Sequence, residues 1–209
     1  MSNPWLDVTE ADYDGHMGSP AVSQTPVLAD LLRDALAAVR PRDLLLLGCT
    51  TGNGLEHVDP DVTVRVTAVD INEGFLARLA ARFPSPRFEL RTRRADLAVA
   101  DFEPGSCDLV HAALVFEYVD WRSTIPRLAL ALRAGGVLSA VIQRPSTSTT
   151  PIAPSPFATI QRLAPLFHFI EPDDLTDAAV RAGLSPIFQQ TVPLPSAKRF
   201  AVLRFAKAA

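Results

Sequence analysis

The chain has 209 residues, and its 20 Lys and Arg are outnumbered by 23 Asp and Glu; a formal charge of −3 excludes a protein built chiefly to grip nucleic-acid backbone. Hydrophobic residues make up 48% and charged residues 21%, which excludes wholesale disorder and provides for one core without disulfide or metal staples. With two cysteines, no signal-peptide pattern at the start and no apolar run of the roughly 18–20 residues a membrane helix needs, a cytoplasmic protein with no membrane partner is expected.

Residues 1–24 read as an N-terminal arm or lid, followed by a single domain over 25–209. The segment Tyr13-Asp14-Gly15-His16-Met17-Gly18 carries too much Gly and Asp for a helix. Thr25-Pro26 predicts a helix start, with Thr as N-cap and Pro at the first helical position. Leu28, Leu31, Leu32, Ala35 and Leu36 then fall on one face, and Arg40-Pro41 ends the helix. Leu44-Leu45-Leu46-Leu47, stopped by Gly48, fits a strand buried on both faces. Residues 62–69 predict a second strand closed by Asp70, and 72–82 a helix capped by Asn72, with Phe75, Leu76 and Leu79 inward. Strands are expected at 87–94, 107–115 and 137–142, and a helix at 121–133 ending in Gly135-Gly136. Residues 144–156, rich in Ser, Thr and Pro, read as a loop. Helices at 157–167 and 172–182 precede a terminal strand pair at 185–194 and 199–205, whose Pro186 and Pro193 mark an edge or a bulge.

Strands alternating with helices imply an α/β fold with a parallel sheet and right-handed crossovers. Ligands of such sheets bind at the carboxyl ends of the strands, so the residues just after each strand are where chemistry is sought. The first strand runs into Gly48-Cys49-Thr50-Thr51-Gly52-Asn53-Gly54, where glycine permits a tight turn and close approach of a ligand to backbone. The second ends at Asp70, a carboxylate suited to a ribose diol, and the third region ends at Asp96, an acceptor for an exocyclic amine. A dinucleotide fingerprint fits less well. The glycines are spaced Gly48-x-x-x-Gly52-x-Gly54, and Asp70 lies closer than the roughly 20 residues that motif requires.

The order of these features resembles the class I S-adenosylmethionine-dependent methyltransferases. Leu44 to Leu55 resembles the family's first motif, Ala68-Val69-Asp70-Ile71-Asn72 its ribose-binding strand end, and Ala95-Asp96-Leu97 its adenine-contacting turn. Residues 107–119 resemble the fourth strand and its sequel, and residues 132–138 the turn into the fifth. The resemblance implies a Rossmann-like three-layer sandwich: a mostly parallel seven-stranded sheet with an antiparallel C-terminal strand. It implies S-adenosylmethionine as cofactor, with Asp70 on both ribose hydroxyls, Asp96 and the Leu97 backbone at the adenine, and the Gly48–Gly54 loop under the rest. Cofactor contacts are thus expected at Gly48, Cys49, Thr50, Gly52, Asp70, Ile71, Asp96 and Leu97, joined by Tyr13, His16 and His111. Two positions depart from the family pattern: Leu46 stands where an acid is usual, and Thr50 where a glycine is usual. The short stretch from Gly54 to Val62 leaves room only for a stubby first crossover helix.

Methyl transfer needs alignment and desolvation of two reactants more than it needs a dedicated acid or base. Candidate catalytic residues are therefore few: His111, expected at the end of the fourth strand facing the cleft, and Glu117 and Tyr118 just beyond it. Tyr13, His16 and Met17 in the arm are placed to fold over the site, where an aromatic ring would meet a sulfonium by a cation–π contact. His168 reads as a partly buried histidine at a helix end. The run Arg87, Arg91, Arg93, Arg94 reads as a half-solvated strand face. Cys49, in the glycine loop, is expected to be mildly activated, and no spacing supports a metal. The expected activity is methyl transfer to a small molecule, with no nucleic-acid partner. The alternative, motivated by Leu46 and Thr50, is a non-catalytic or regulatory cofactor-binding protein on the same fold.

Overall fold

The computed structural model describes residues 3–145, 150–194 and 198–209. Two helices open the chain, α1 (Glu10–Gly18) and α2 (Thr25–Val39). Then come β1 (Asp43–Leu47), β2 (Arg65–Asp70), α3 (Glu73–Arg82), β3 (Glu89–Arg94), β4 (Cys107–Ala113), α4 (Trp121–Ala131) and β5 (Leu132–Gln143). The chain closes with α5 (Ala158–Gln161), α6 (Pro172–Arg181), β6 (Leu184–Pro193) and β7 (Arg199–Lys207). Among the described residues the strands form one sheet in the order β3-β2-β1-β4-β5-β7-β6. Neighbours are parallel from β3 through β5, and β7 runs antiparallel to both β5 and β6. This is the expected mixed seven-stranded sheet.

Side chains alternate across a strand, and the sheet's two faces sort them into two cores. Leu45 and Leu47 of β1 pack with Val110, Leu138 and Leu203 under α4 and α6. Leu44 and Leu46 pack with Val66, Ala68 and Leu109 under α2 and α3. Leu46 is thus a core residue, shut away from any ligand at the sheet's edge. Between β1 and β2 the crossover holds only a short 3-10 turn, Leu55–His57. The glycine loop therefore lies directly on α2, where a side chain at Gly54 would meet Leu32 and Ala29.

Several boundaries differ from expectation, each for a local reason. Thr25 is the first helical residue, not the cap; Gln24 holds that place without a side-chain bond. β2 begins at Arg65 because residues 59–63 form a turn, with Thr63 N–H donating to Asp59 O. The helix expected at 121–133 stops at Ala131, and Leu132 already pairs with Cys107. The helix expected at 157–167 is cut to α5 and a 3-10 turn at Ala164–Leu166, where Pro165 supplies no amide donor. Positions 146–149 of the expected loop lie outside the described residues. The arm is the largest departure. Thr9 caps α1 by accepting from Asp12 N–H, and the helix is held from outside: Thr51 donates to Asp14 (2.7 Å), and Thr159 donates to Asp12.

Asn72 performs the capping expected of it and more. Its side-chain oxygen accepts from Gly74 and Phe75 N–H, while its amide donates to the carbonyls of Trp5 and Val8, both at 2.8 Å. Asn72→Ala removes a helix cap and two anchors of the arm. An N-cap alone is worth about 1 kcal/mol, so a loss of about 2 kcal/mol in a urea titration is expected.

Candidate functional site

A cavity of ≈ 130 Å³ opens along the carboxyl ends of β1 to β5. Its floor is the set of residues that follow those strands: Gly48, Asp70 with Ile71, Ala95 to Leu97, Ala113 to Val115, and Gln143. Gly48 turns the chain with φ +57°, and a side chain there would strike Val115 at 2.9 Å. Thr50 follows with φ +44°, a left-handed conformation that is a strained place for a β-branched residue, so its departure from the family's glycine is accommodated in the backbone.

That backbone serves Asp70. Its Oδ2 accepts from Thr50 N–H and its Oδ1 from Asn72 N–H, each at 2.9 Å. Burial raises its pKa and these amides pull it back. Each oxygen keeps a second lone pair for a partner in the cavity. Asp96 is locked differently: Oδ1 accepts from Ala98 N–H, and the guanidinium of Arg127, on α4, donates to the carbonyls of Leu97, Ala98 and Ala100. Arg127 is a supporting residue without a sequence signal of its own.

Tyr13, His16 and Met17 of α1 complete one wall, with Trp5 beside them. Tyr13 packs on Phe75, centroids 5.2 Å apart, and burial pushes its hydroxyl up to about 12. His16 meets Ser155 through Nδ1 (2.9 Å); burial first, and the charge of Lys198 second, lower its pKa. Tyr118 lines the roof, edge-on to Trp5 at 4.9 Å and to Phe167 at 5.5 Å, and burial raises its hydroxyl further. Ile152, Ile160 and Leu163 fill the remaining apolar wall.

Four expected residues stand elsewhere. His111 lies inside β4, not at its end, and is 2% exposed. Its Nδ1 faces Ser139 Oγ at 3.3 Å, and burial, then the charge of Arg204, lowers its pKa to about 4. It shares a face with Leu109, away from the cavity. Glu117 is 0% exposed behind Gln143, whose N–H donates to its Oε1 (2.7 Å); Oε2 has no partner among the described residues. Cys49 packs into the α2-side core, and burial pushes its thiol well up, the reverse of activation. Gly52 turns the loop at φ +81° over Leu79 and is not on the cavity wall. Outside the site, His168 is exposed, its N–H donating to Glu117 O. The basic run is paired along the sheet edge: Arg87 with Asp61, Arg91 with Glu89, Arg94 with Glu73. No group of three His, Cys, Asp or Glu that could hold a metal occurs among the described residues, and no helix of theirs is long and apolar enough to cross a membrane.

One wall residue carries no motif at all. Lys198, just before β7, is 4% exposed and reaches the cavity; its Nζ donates to Pro151 O (2.7 Å) and Gln143 Oε1 (3.2 Å). Burial lowers its pKa to about 8.

Residues 45–140 match a family model described as a methyltransferase domain. No curated protein matches the chain in sequence. Among solved structures, N-methyltransferase NodS from Bradyrhizobium japonicum WM9, in complex with S-adenosyl-L-homocysteine, is similar with a TM-score of 0.67 and 20% identity, covering 91% of this chain and 89% of that one. An S-adenosylmethionine-dependent methyltransferase from Mesorhizobium loti gives 0.65 and 19%, covering 86% and 100%. The [4+2]-cyclase SpnF gives 0.69 and 14%, covering 88% and 81%. At such identities the likeness speaks for the fold, and the family model for the kinship. That match runs from Leu45 through the glycine turn, Asp70 and Asp96, so the chain carries a methyltransferase domain over residues 45–140.

Proposed function

We propose that this enzyme methylates a small, largely apolar molecule held between the ends of β4 and β5 and the roof at residues 150–170. The observation that carries the reading is one cavity lined by two kinds of group: acceptor oxygens at Asp70 and Asp96, and the apolar or aromatic side chains of Trp5, Tyr118, Ile152, Leu163 and Phe167. S-adenosylmethionine, when bound, supplies a methyl group on a positively charged sulfur. The donor set suits its adenosine part. Asp70 offers two carboxylate oxygens already oriented by amides, and Asp96 offers an acceptor on a turn that Arg127 holds rigid.

The chain's own contribution is alignment and exclusion of water. Residues 1–24 act as a lid whose α1 brings Tyr13, His16 and Met17 over the floor. The edge-on contacts of Trp5, Tyr118 and Phe167 seal the roof. His111, turned into the core, moves no proton in this reaction, and Glu117 acts behind the wall.

The test is calorimetry with S-adenosylhomocysteine, followed by turnover over a small-molecule acceptor panel read as release of that product. Micromolar binding and turnover on apolar acceptors are expected. Absence of binding by the intact protein would discard the reading.

A further inference from the structure

The charged groups of the cavity are distributed along the sheet's edge. Asp96 and Asp70 sit at the ends of β3 and β2, and Lys198 at the start of β7, four strands along from β2 in the sheet order. The same cavity is lined by apolar Met17, Leu28, Leu114 and Ile160 and by the polar side chains of His16 and Gln24. Among the described residues, Nζ of Lys198 has two partners, both neutral: the Pro151 carbonyl and the Gln143 side-chain oxygen. An ammonium has three protons, and these contacts use two. No carboxylate among the described residues forms an ion pair with it. Glu117 Oε1, on the other side of Gln143, accepts that residue's backbone N–H. A buried ammonium without a counter-charge is costly unless a ligand supplies one.

We propose that Lys198 determines which molecules are methylated: the acceptor is an apolar, ring-sized compound bearing an anionic oxygen, seated against Lys198 Nζ at the β5–β7 end of the cavity. This rests on reading the cavity as a methyl-transfer site. Such an arrangement would balance charge: Asp70 and Asp96 would face the adenosine part of the cofactor, and Lys198 would meet an anionic acceptor on the other side of its sulfonium. Electrostatic complementarity of this kind selects among ligands of equal apolar area.

The test uses two fluorescent probes with the same rings, 8-anilinonaphthalene-1-sulfonate and its uncharged counterpart N-phenyl-1-naphthylamine. Each is titrated into the full chain saturated with S-adenosylhomocysteine. The wild type should bind the sulfonate at least tenfold more tightly than the neutral amine. Lys198→Met should erase that preference by weakening the sulfonate tenfold or more, with the neutral probe changed less than twofold and S-adenosylhomocysteine affinity unchanged. Lys198→Gln is the second variant, should the methionine disturb folding. Three results overturn the proposal: no preference for the anion in the wild type, a preference that both variants keep, or a loss of S-adenosylhomocysteine affinity in them. The last would assign the amine to the cofactor's own carboxylate. Failure of the wild type to bind S-adenosylhomocysteine is a separate result and strikes the methyl-transfer reading itself.

Discussion

Asp70→Ala should weaken S-adenosylhomocysteine about 100-fold, measured by calorimetry against the wild type. The side chain is buried at the cavity floor, and each of its oxygens already accepts one amide, from Thr50 and from Asn72. A ribose diol would use the lone pairs that remain. Hydrogen bonds to a charged group are worth roughly 1.5–3 kcal/mol each, so losing two costs about 3 kcal/mol or more, which is at least two powers of ten in affinity. Asp70→Asn separates charge from shape. It keeps the volume but turns one end into a donor facing an amide N–H, so it should bind as poorly as the alanine variant. A threefold change or less in both variants would remove Asp70 from the cofactor site.

Glu117→Gln should change how stability depends on pH. The carboxyl of Glu117 is fully buried, and burial raises it from 4.5 to about 7 against the opposing bond from Gln143 N–H. The folded protein therefore holds a proton that the unfolded chain has already released. Stability contributed by this group is present below pH 4.5, falls as pH rises toward 7, and is lost above it. The whole change is worth about 3 kcal/mol. His111 works the other way. Its folded value of about 4 lies below its ordinary 6.5, so its contribution is absent at low pH and grows as pH rises through that window. The two nearly cancel in the wild type between pH 4.5 and 6.5. Glutamine retains the acceptor for Gln143 and carries no charge. Urea titrations from pH 5 to 8 should therefore show the variant gaining on the wild type by about 2–3 kcal/mol over that range, and rising with pH where the wild type is flat. Parallel curves for the two proteins would refute the account.

The sheet was legible because its signals are local. A four-leucine run before Gly48, an acid closing a β-branched run and an asparagine ahead of an amphipathic helix each encode one strand end or cap within a few residues. The arm was not, because its order comes from elsewhere in the chain. Glu10–Gly18 contains two glycines and buries only His16 and Met17; the contacts that make it a helix come from Thr51 and Thr159. His111 was misplaced by counting it at a strand end. Its parity with Leu109, two residues earlier, assigns it to the α2 side and the core. Lys198 shows the limit of motif reading. Nothing in Lys198-Arg199-Phe200 distinguishes a surface lysine from a buried one; only the antiparallel return of β7 beside β5 brings it to Gln143.

The bonds of Asn72 also set how few side chains can stand at that position. One side chain must present an acceptor toward Gly74 and Phe75 and two donated protons toward Trp5 and Val8, at a single length. Aspartate has the acceptor and lacks the donors, serine is too short to serve both sides, and glutamine carries the amide one carbon too far. Each of these replacements therefore damages the helix start, the arm or both. In a saturation library, position 72 should be among the most depleted, although it touches no reacting atom.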